Sequence, residues 1–111
     1  MPAPSPWKHI LVATDFSDCS SGAVALAKSM LRDDATKLTI ITAVEPATHG
    51  LRIQTDEIHD KMRDQAQETL NNLIAAEFAG DSRVDGAVIC AGAADAICEA
   101  ASQRGVDLVI V

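Results

Sequence analysis

At 111 residues the chain has the length of one domain, and its composition, 48% apolar but only 3% aromatic, calls for an aliphatic core. Small-residue helices packed on a Val/Leu/Ile sheet fit this better than a β-sandwich or a nucleic-acid module with stacking aromatics. A formal net charge of -7 disfavours nucleic acid and anionic membranes as partners, and no apolar run approaches the ~18–20 residues of a membrane span.

That charge leaves nucleotides open, because backbone N–H groups at a helix N-terminus hold phosphate locally. Residues 1–7 form a proline-rich lead, expected to be disordered and without the charged and apolar regions of a secretory signal. The domain is expected over residues 8–111. Cys19, Cys90 and Cys98 are odd in number and form no C-x-x-C, which favours a reducing cytoplasm over a disulfide framework.

The first predicted strand spans about residues 8–14, where the apolar run Ile10 to Ala13 breaks off into Thr14 and Asp15. Ser17 is a natural cap for a helix over about 18–32. Its expected inward stripe is Ala23, Leu26, Ala27, Met30 and Leu31. Residues 32–36 connect to a second strand, Lys37 to Val44, which Pro46 ends. Ala47 to Gly50 is expected to be a mobile segment leading into the longest helix, about 55–79. That helix carries Ile58, Met62, Ala66, Leu70, Leu73, Ile74 and Phe78 on its apolar side, and Gly80-Asp81-Ser82 stops it.

A third strand runs from Arg83 to Cys90. A helix over about 93–104 follows, with Ala96, Ile97, Ala100 and Ala101 facing inward and Gly105 at its C-terminal end. Val106 to Val111 reads as a fourth strand. The order β-α-β-α-β-α-β predicts an α/β fold: a mostly parallel sheet with right-handed crossovers and helices on its faces. In such sheets ligand contacts lie at the C-terminal strand ends, so function is expected to start at Asp15. The plainer role for Asp15 is a first-turn charge complementing a helix dipole.

Lys8 through Ser17 (Lys-x-Ile-Leu-Val-Ala-Thr-Asp-Phe-Ser) resembles the opening of the universal stress protein family, as does the continuation Asp18 to Ala23. Gly92-Ala93-Ala94-Asp95-Ala96-Ile97 is similar to the family's glycine after strand three. Ala101 through Asp107 to Val111 is similar to its fourth-strand approach. The resemblance is collinear over about residues 8–111. It implies a doubly wound three-layer sheet with strand order 3-2-1-4, the family's fifth strand and last helix lying beyond the residues at hand.

It also implies a stress-response regulatory protein that binds an adenine nucleotide, ATP or AMP, without being an enzyme beyond weak hydrolysis. Carried over by position, Ala13, Thr14 and Asp15 correspond to the loop that touches base and ribose, and Val44 to the second-strand residue beside the adenine ring. Val44 is expected to serve mainly as core. Alanine at position 13, where the family often has proline, is a mild departure. The family's glycine-rich phosphate-holding segment follows strand four and is not found up to Val111. Binding by the 111 residues is therefore expected to be impaired.

The resemblance further implies a homo-oligomer. Without strand five, strand four would be an exposed edge open to pairing. The alternative function is an interaction or dimerisation module of the same fold that binds no nucleotide. A phosphorylatable receiver domain is set aside, because Cys90-Ala91-Gly92 stands where its phospho-accepting carboxylate belongs.

Other chemistry is thin. There is no Walker A loop and no G-x-G-x-x-G. Ser20-Ser21 lacks a nearby histidine. His59 beside Asp56 and Asp60 reads as a solvated helix face and not as a metal site. Asp56-Glu57 suits the dipole at a helix start. Cys19, in a helical first turn, is a candidate reactive thiol, whereas Cys90 and Cys98 are expected to be buried packing residues.

Overall fold

The computed structural model describes residues 6–31, 34–45 and 55–111, with no side-chain description at 55–59. Seven elements follow one another: β1 (His9–Ala13), α1 (Asp18–Ser29), β2 (Lys37–Ala43), α2 (Thr55–Phe78), β3 (Val84–Ile89), α3 (Ala93–Arg104) and β4 (Leu108–Ile110). The four strands form one parallel sheet in the order β3-β2-β1-β4. The doubly wound α/β expectation and the strand order 3-2-1-4 both hold. The expectations for the lead before Pro6, for Arg32 and Asp33, for Pro46 to Gly50, and for the side chains of Asp56, Glu57, Ile58 and His59 lie outside the described residues.

Successive strand residues point to opposite faces, which divides the core in two. Ile10, Val12, Leu38 and Ile40 pack with Val24 and Ala27 of α1 and Leu70 and Phe78 of α2. Leu11 and Ile41 face the other way, against Ala100, Ile97 and Ala101 of α3. Helices α1 and α2 therefore cover one face while the chain runs outward from β1 to β3. Helix α3 then crosses back on the opposite face and sets β4 on the other side of β1. The reversal falls between β1 and β4, and a doubly wound sheet opens a crevice at such a reversal.

Local chemistry fixes the boundaries. Ser17 caps α1, its hydroxyl accepting the Ser20 N–H at 3.2 Å. Helix α3 ends at Gly105 in the left-handed conformation, φ 62°, a C-terminal geometry that glycine adopts without strain. Beyond α2, Ala79 and Gly80 turn through positive φ. The Asp81 carboxylate then accepts the Arg83 backbone N–H at 3.0 Å and pairs with its guanidinium at 2.6 Å, aiming the chain into β3.

Several inward assignments are corrected. Leu26 is 53% exposed, and Val24 takes its place on the buried side of α1. Relative to buried Ala27, Val24 lies only about 60° around the helix whereas Leu26 lies about 100° away, at the margin of the stripe. Met62 is 48% exposed. A helix of 24 residues is about 36 Å long and outruns strands of about 20 Å, so the N-terminal part of α2 overhangs the sheet. Cys90 and Cys98 are both exposed. Cys98 sits two residues from each of the buried Ala96 and Ala100, which places it on the far side of α3. Cys90 follows the last residue of edge strand β3.

Candidate functional site

The C-terminal ends of β1 and β2 open into a cavity of about 380 Å³. Ala13, Thr14, Ile41 and Ala43 line it, with exposed Asp15 at its rim. The first turn of α1 (Ser17, Cys19, Ser20) and the start of α3 (Ala93, Ala96, Ile97) close its sides, and Val111 lines it from beyond β4. A second cavity, also about 380 Å³, lies on the other side of the strand ends and is lined by Val44, Glu45 and Phe16 with Met62 and Ala66 of α2. Asp15 lines both.

The turn that carries Asp15 is held by its own side chains. The backbone N–H of Thr14 donates to the Ile41 carbonyl at 2.9 Å, extending the β1–β2 ladder by one residue. The Thr14 hydroxyl, nearly buried, lies 2.9 Å from the Ser20 hydroxyl and accepts the Phe16 N–H at 3.0 Å. Phe16 adopts φ 65°, the left-handed region that non-glycine residues enter only against steric resistance. One Asp15 oxygen accepts the Ser17 N–H at 3.0 Å, closing the turn.

Hydrogen bonds from the Ser17 side chain, then from the Ser17 backbone and the Ser20 side chain, hold the Asp15 carboxyl below the usual carboxylate range. Asp15 is thus ionised at neutral pH and exposed, with acceptor capacity left for a ligand. A carboxylate so placed can accept hydrogen bonds from two vicinal hydroxyls while aliphatic walls face a planar ring.

Three of the four candidate residues, Ala13, Thr14 and Asp15, come together at the first cavity. Val44 is 6% exposed, so it belongs to the core, and of these two cavities it lines the second. The Ala93, Ala96 and Ile97 wall escaped the sequence reading as a site. Gly92 to Ile97 stands out in the sequence as a family-like segment, and Ala96 and Ile97 as part of an inward helical stripe, but nothing local tells which of these residues stop short of the sheet. Among the described residues no group of three or more His, Cys, Asp or Glu could hold a metal ion. No described helix is long and apolar enough to cross a membrane.

Comparison with known proteins agrees with this architecture. UspA, a universal stress protein from Lactobacillus plantarum, superposes with a TM-score of 0.79 at 18% identity, over 98% of this chain and 77% of that one. A universal stress family protein from Burkholderia pseudomallei gives 0.77 at 20% identity, over 97% and 82%. A universal stress protein crystallised in complex with cAMP gives 0.62 at 22% identity, over 96% and 77%. No curated protein matches the chain. The family model for universal stress proteins matches residues 6–111, nearly all of the sequence, and with the fold described above this chain belongs to the universal stress protein family.

Proposed function

We propose that the chain is a stress-response regulatory protein of the cytoplasm that binds an adenine nucleotide, ATP or AMP, and acts through binding without turnover. Asp15, shared by the two cavities, would accept the ribose hydroxyls, Ala13 and Thr14 would line the pocket on the α3 side, and Val44, mainly a core residue, would back the base from the α2 side. The observation that carries this reading is an ionised, exposed Asp15 on the rim of two cavities at the point where the strand order reverses. The complex of a related fold with cAMP is consistent with an adenine ligand.

Calorimetric titration of the chain and of Asp15→Ala with AMP tests it. A hydrogen bond to a charged group contributes about 1.5–3 kcal/mol, so the substitution should weaken binding about tenfold or more. Equal affinity in both proteins, or no heat from the unsubstituted chain at millimolar ligand, removes the reading.

A specific observation favours self-association as well. Strand β4 pairs with β1 alone among the described strands, and Val109 on it is 38% exposed. Beyond Asp107 the strand carries no charge from Leu108 to Val111, so this edge of the described sheet would offer its backbone to a second copy. Light scattering should show molar mass rising with concentration, and a monomer at all concentrations would exclude this.

A further inference from the structure

We propose that His9 is a proton-dependent latch: as the imidazolium it fastens the C-terminal end of α3 to the sheet, and on losing its proton it loosens that end. The helix so held is the one whose first turns wall the first cavity, but the latch stands apart from the nucleotide reading.

Both ring nitrogens of His9 face oxygen. Nδ1 lies 3.2 Å from the carbonyl of Arg104, the last residue of α3, and Nε2 lies 2.8 Å from the Thr39 hydroxyl on β2. A carbonyl only accepts, so Nδ1 must carry a proton to bond it. The one Thr39 proton goes to the Asp85 carboxylate on β3, at 2.7 Å, which leaves the hydroxyl an acceptor toward the ring. Nε2 must therefore carry a proton too. Only the imidazolium donates from both nitrogens.

A neutral ring breaks this set. With Nδ1 bare, the bond to the Arg104 carbonyl is lost. With Nε2 bare, two lone pairs confront each other, or Thr39 turns its proton to the ring and deserts Asp85. Thr39 is fully buried, so water does not replace the missing partner. The helix end adds to the preference, because the last carbonyls of α3 carry the negative end of its dipole.

The other charges around the ring are already engaged or in solvent. Asp85 and Arg104 pair with each other at 3.0 Å. Asp107, ahead of β4, accepts the backbone N–H groups of Lys8 and His9. Lys8 and Lys37, the latter in register with His9 on β2, are exposed, where salt screens their repulsion of the ring. The folded state thus holds the proton-bound ring, so the latch contributes stability while the ring is charged and loses it as pH rises through the ring's titration.

Two amides report on this end of α3: Val106 N–H, bonded to the Ala101 carbonyl, and Asp107 N–H, bonded to the His9 carbonyl at 2.9 Å. The Thr14 N–H, bonded to the Ile41 carbonyl at the opposite end of the sheet, is the reference. Hydrogen exchange of the labelled chain, corrected for intrinsic base catalysis, is compared at about pH 5.5 and about pH 8, either side of the ordinary histidine range. One hydrogen bond to a charged group is worth about tenfold or more in an opening equilibrium, so protection at Val106 and Asp107 should fall about tenfold while Thr14 changes less than about threefold. The midpoint of the fall should coincide with the titration of the His9 ring protons. In His9→Gln, protection at the two amides should be low at both pH values. Unchanged protection at Val106 and Asp107, an equal fall at Thr14, or a midpoint away from the His9 titration overturns the latch, and so does a pH-dependent fall retained in His9→Gln. The measurements on the unsubstituted chain decide even if the variant folds poorly.

Discussion

Asp15 and Asp81 are both carboxylates held below their ordinary range, and they do opposite work. Asp15 is restrained by serine hydrogen bonds but keeps an exposed face, which makes it available to a ligand. Asp81 is consumed by its neighbour: the Arg83 side chain, then the Arg83 backbone N–H, pull its pKa down to about 2 from 3.8. A carboxyl depressed in the folded state contributes stability that is fully present above the unfolded value and is lost as pH falls through the folded one. The Asp81–Arg83 contribution should therefore be complete above about pH 4 and fade between there and about pH 2. Denaturant melts of the chain and of Asp81→Asn across this range should converge as pH drops. Parallel curves would show that the pair does not couple folding to protons.

At the scale of elements, the close approach of β3 to α2 is set by Gly86. A Cβ built there would come within 2.7 Å of Ile74 Cδ1 and 2.9 Å of Leu70 Cδ2, so strand and helix meet where one side chain is missing. Leu70 is fully buried and has little room to yield. Gly86→Ala should cost about 1–3 kcal/mol, read from urea midpoints at constant m-value. An unchanged midpoint would mean that Ile74 swings clear.

A polar row ties the opposite, N-terminal end of the sheet. The Thr39 hydroxyl donates to Asp85 at 2.7 Å and lies 2.8 Å from His9 Nε2, and Arg104 at the end of α3 reaches Asp85 at 3.0 Å. Asp107 accepts the backbone N–H groups of Lys8 and His9, at 2.8 and 3.1 Å, fastening the approach to β4 onto β1. This row draws on both ends of the sequence.

The elements themselves were legible, because each carries its own period and its own stop: Ser17 before α1, Gly105 after α3, the apolar runs of β1 and β2. Periodicity misleads where the geometry of the stripe and the length of the sheet decide burial. Leu26 is the larger residue, but Val24 is nearer the axis of the buried stripe. Met62 keeps the helical spacing, but it lies where the helix has outrun the sheet. Residue type alone puts Cys90 and Cys98 inside, whereas the position of Cys98 between Ala96 and Ala100 points outward. The polar row was not legible at all, since its members stand between 19 and 46 positions apart along its hydrogen bonds and share no motif.

For the whole molecule, the site follows from topology more than from any motif. Two crossovers on one face and one on the other make the strand order reverse at β1, and the turn after β1 is thereby left facing a crevice. The Thr14–Asp15–Phe16 turn is closed by its own hydroxyl and carboxylate, which fits a binding surface formed in advance of its ligand. Among the described strands β4 lies at an edge of the sheet, and Val111 just beyond it lines the first cavity.

The most direct test is to map amide chemical shifts of the isotopically labelled chain during titration with AMP. The account predicts saturable changes concentrated in residues 13–20, 43–45 and 92–97, with the polar row around Thr39 and Asp85 unmoved. Saturable changes centred on that row, or on the outer faces of the helices with the β1–α1 turn silent, would contradict it.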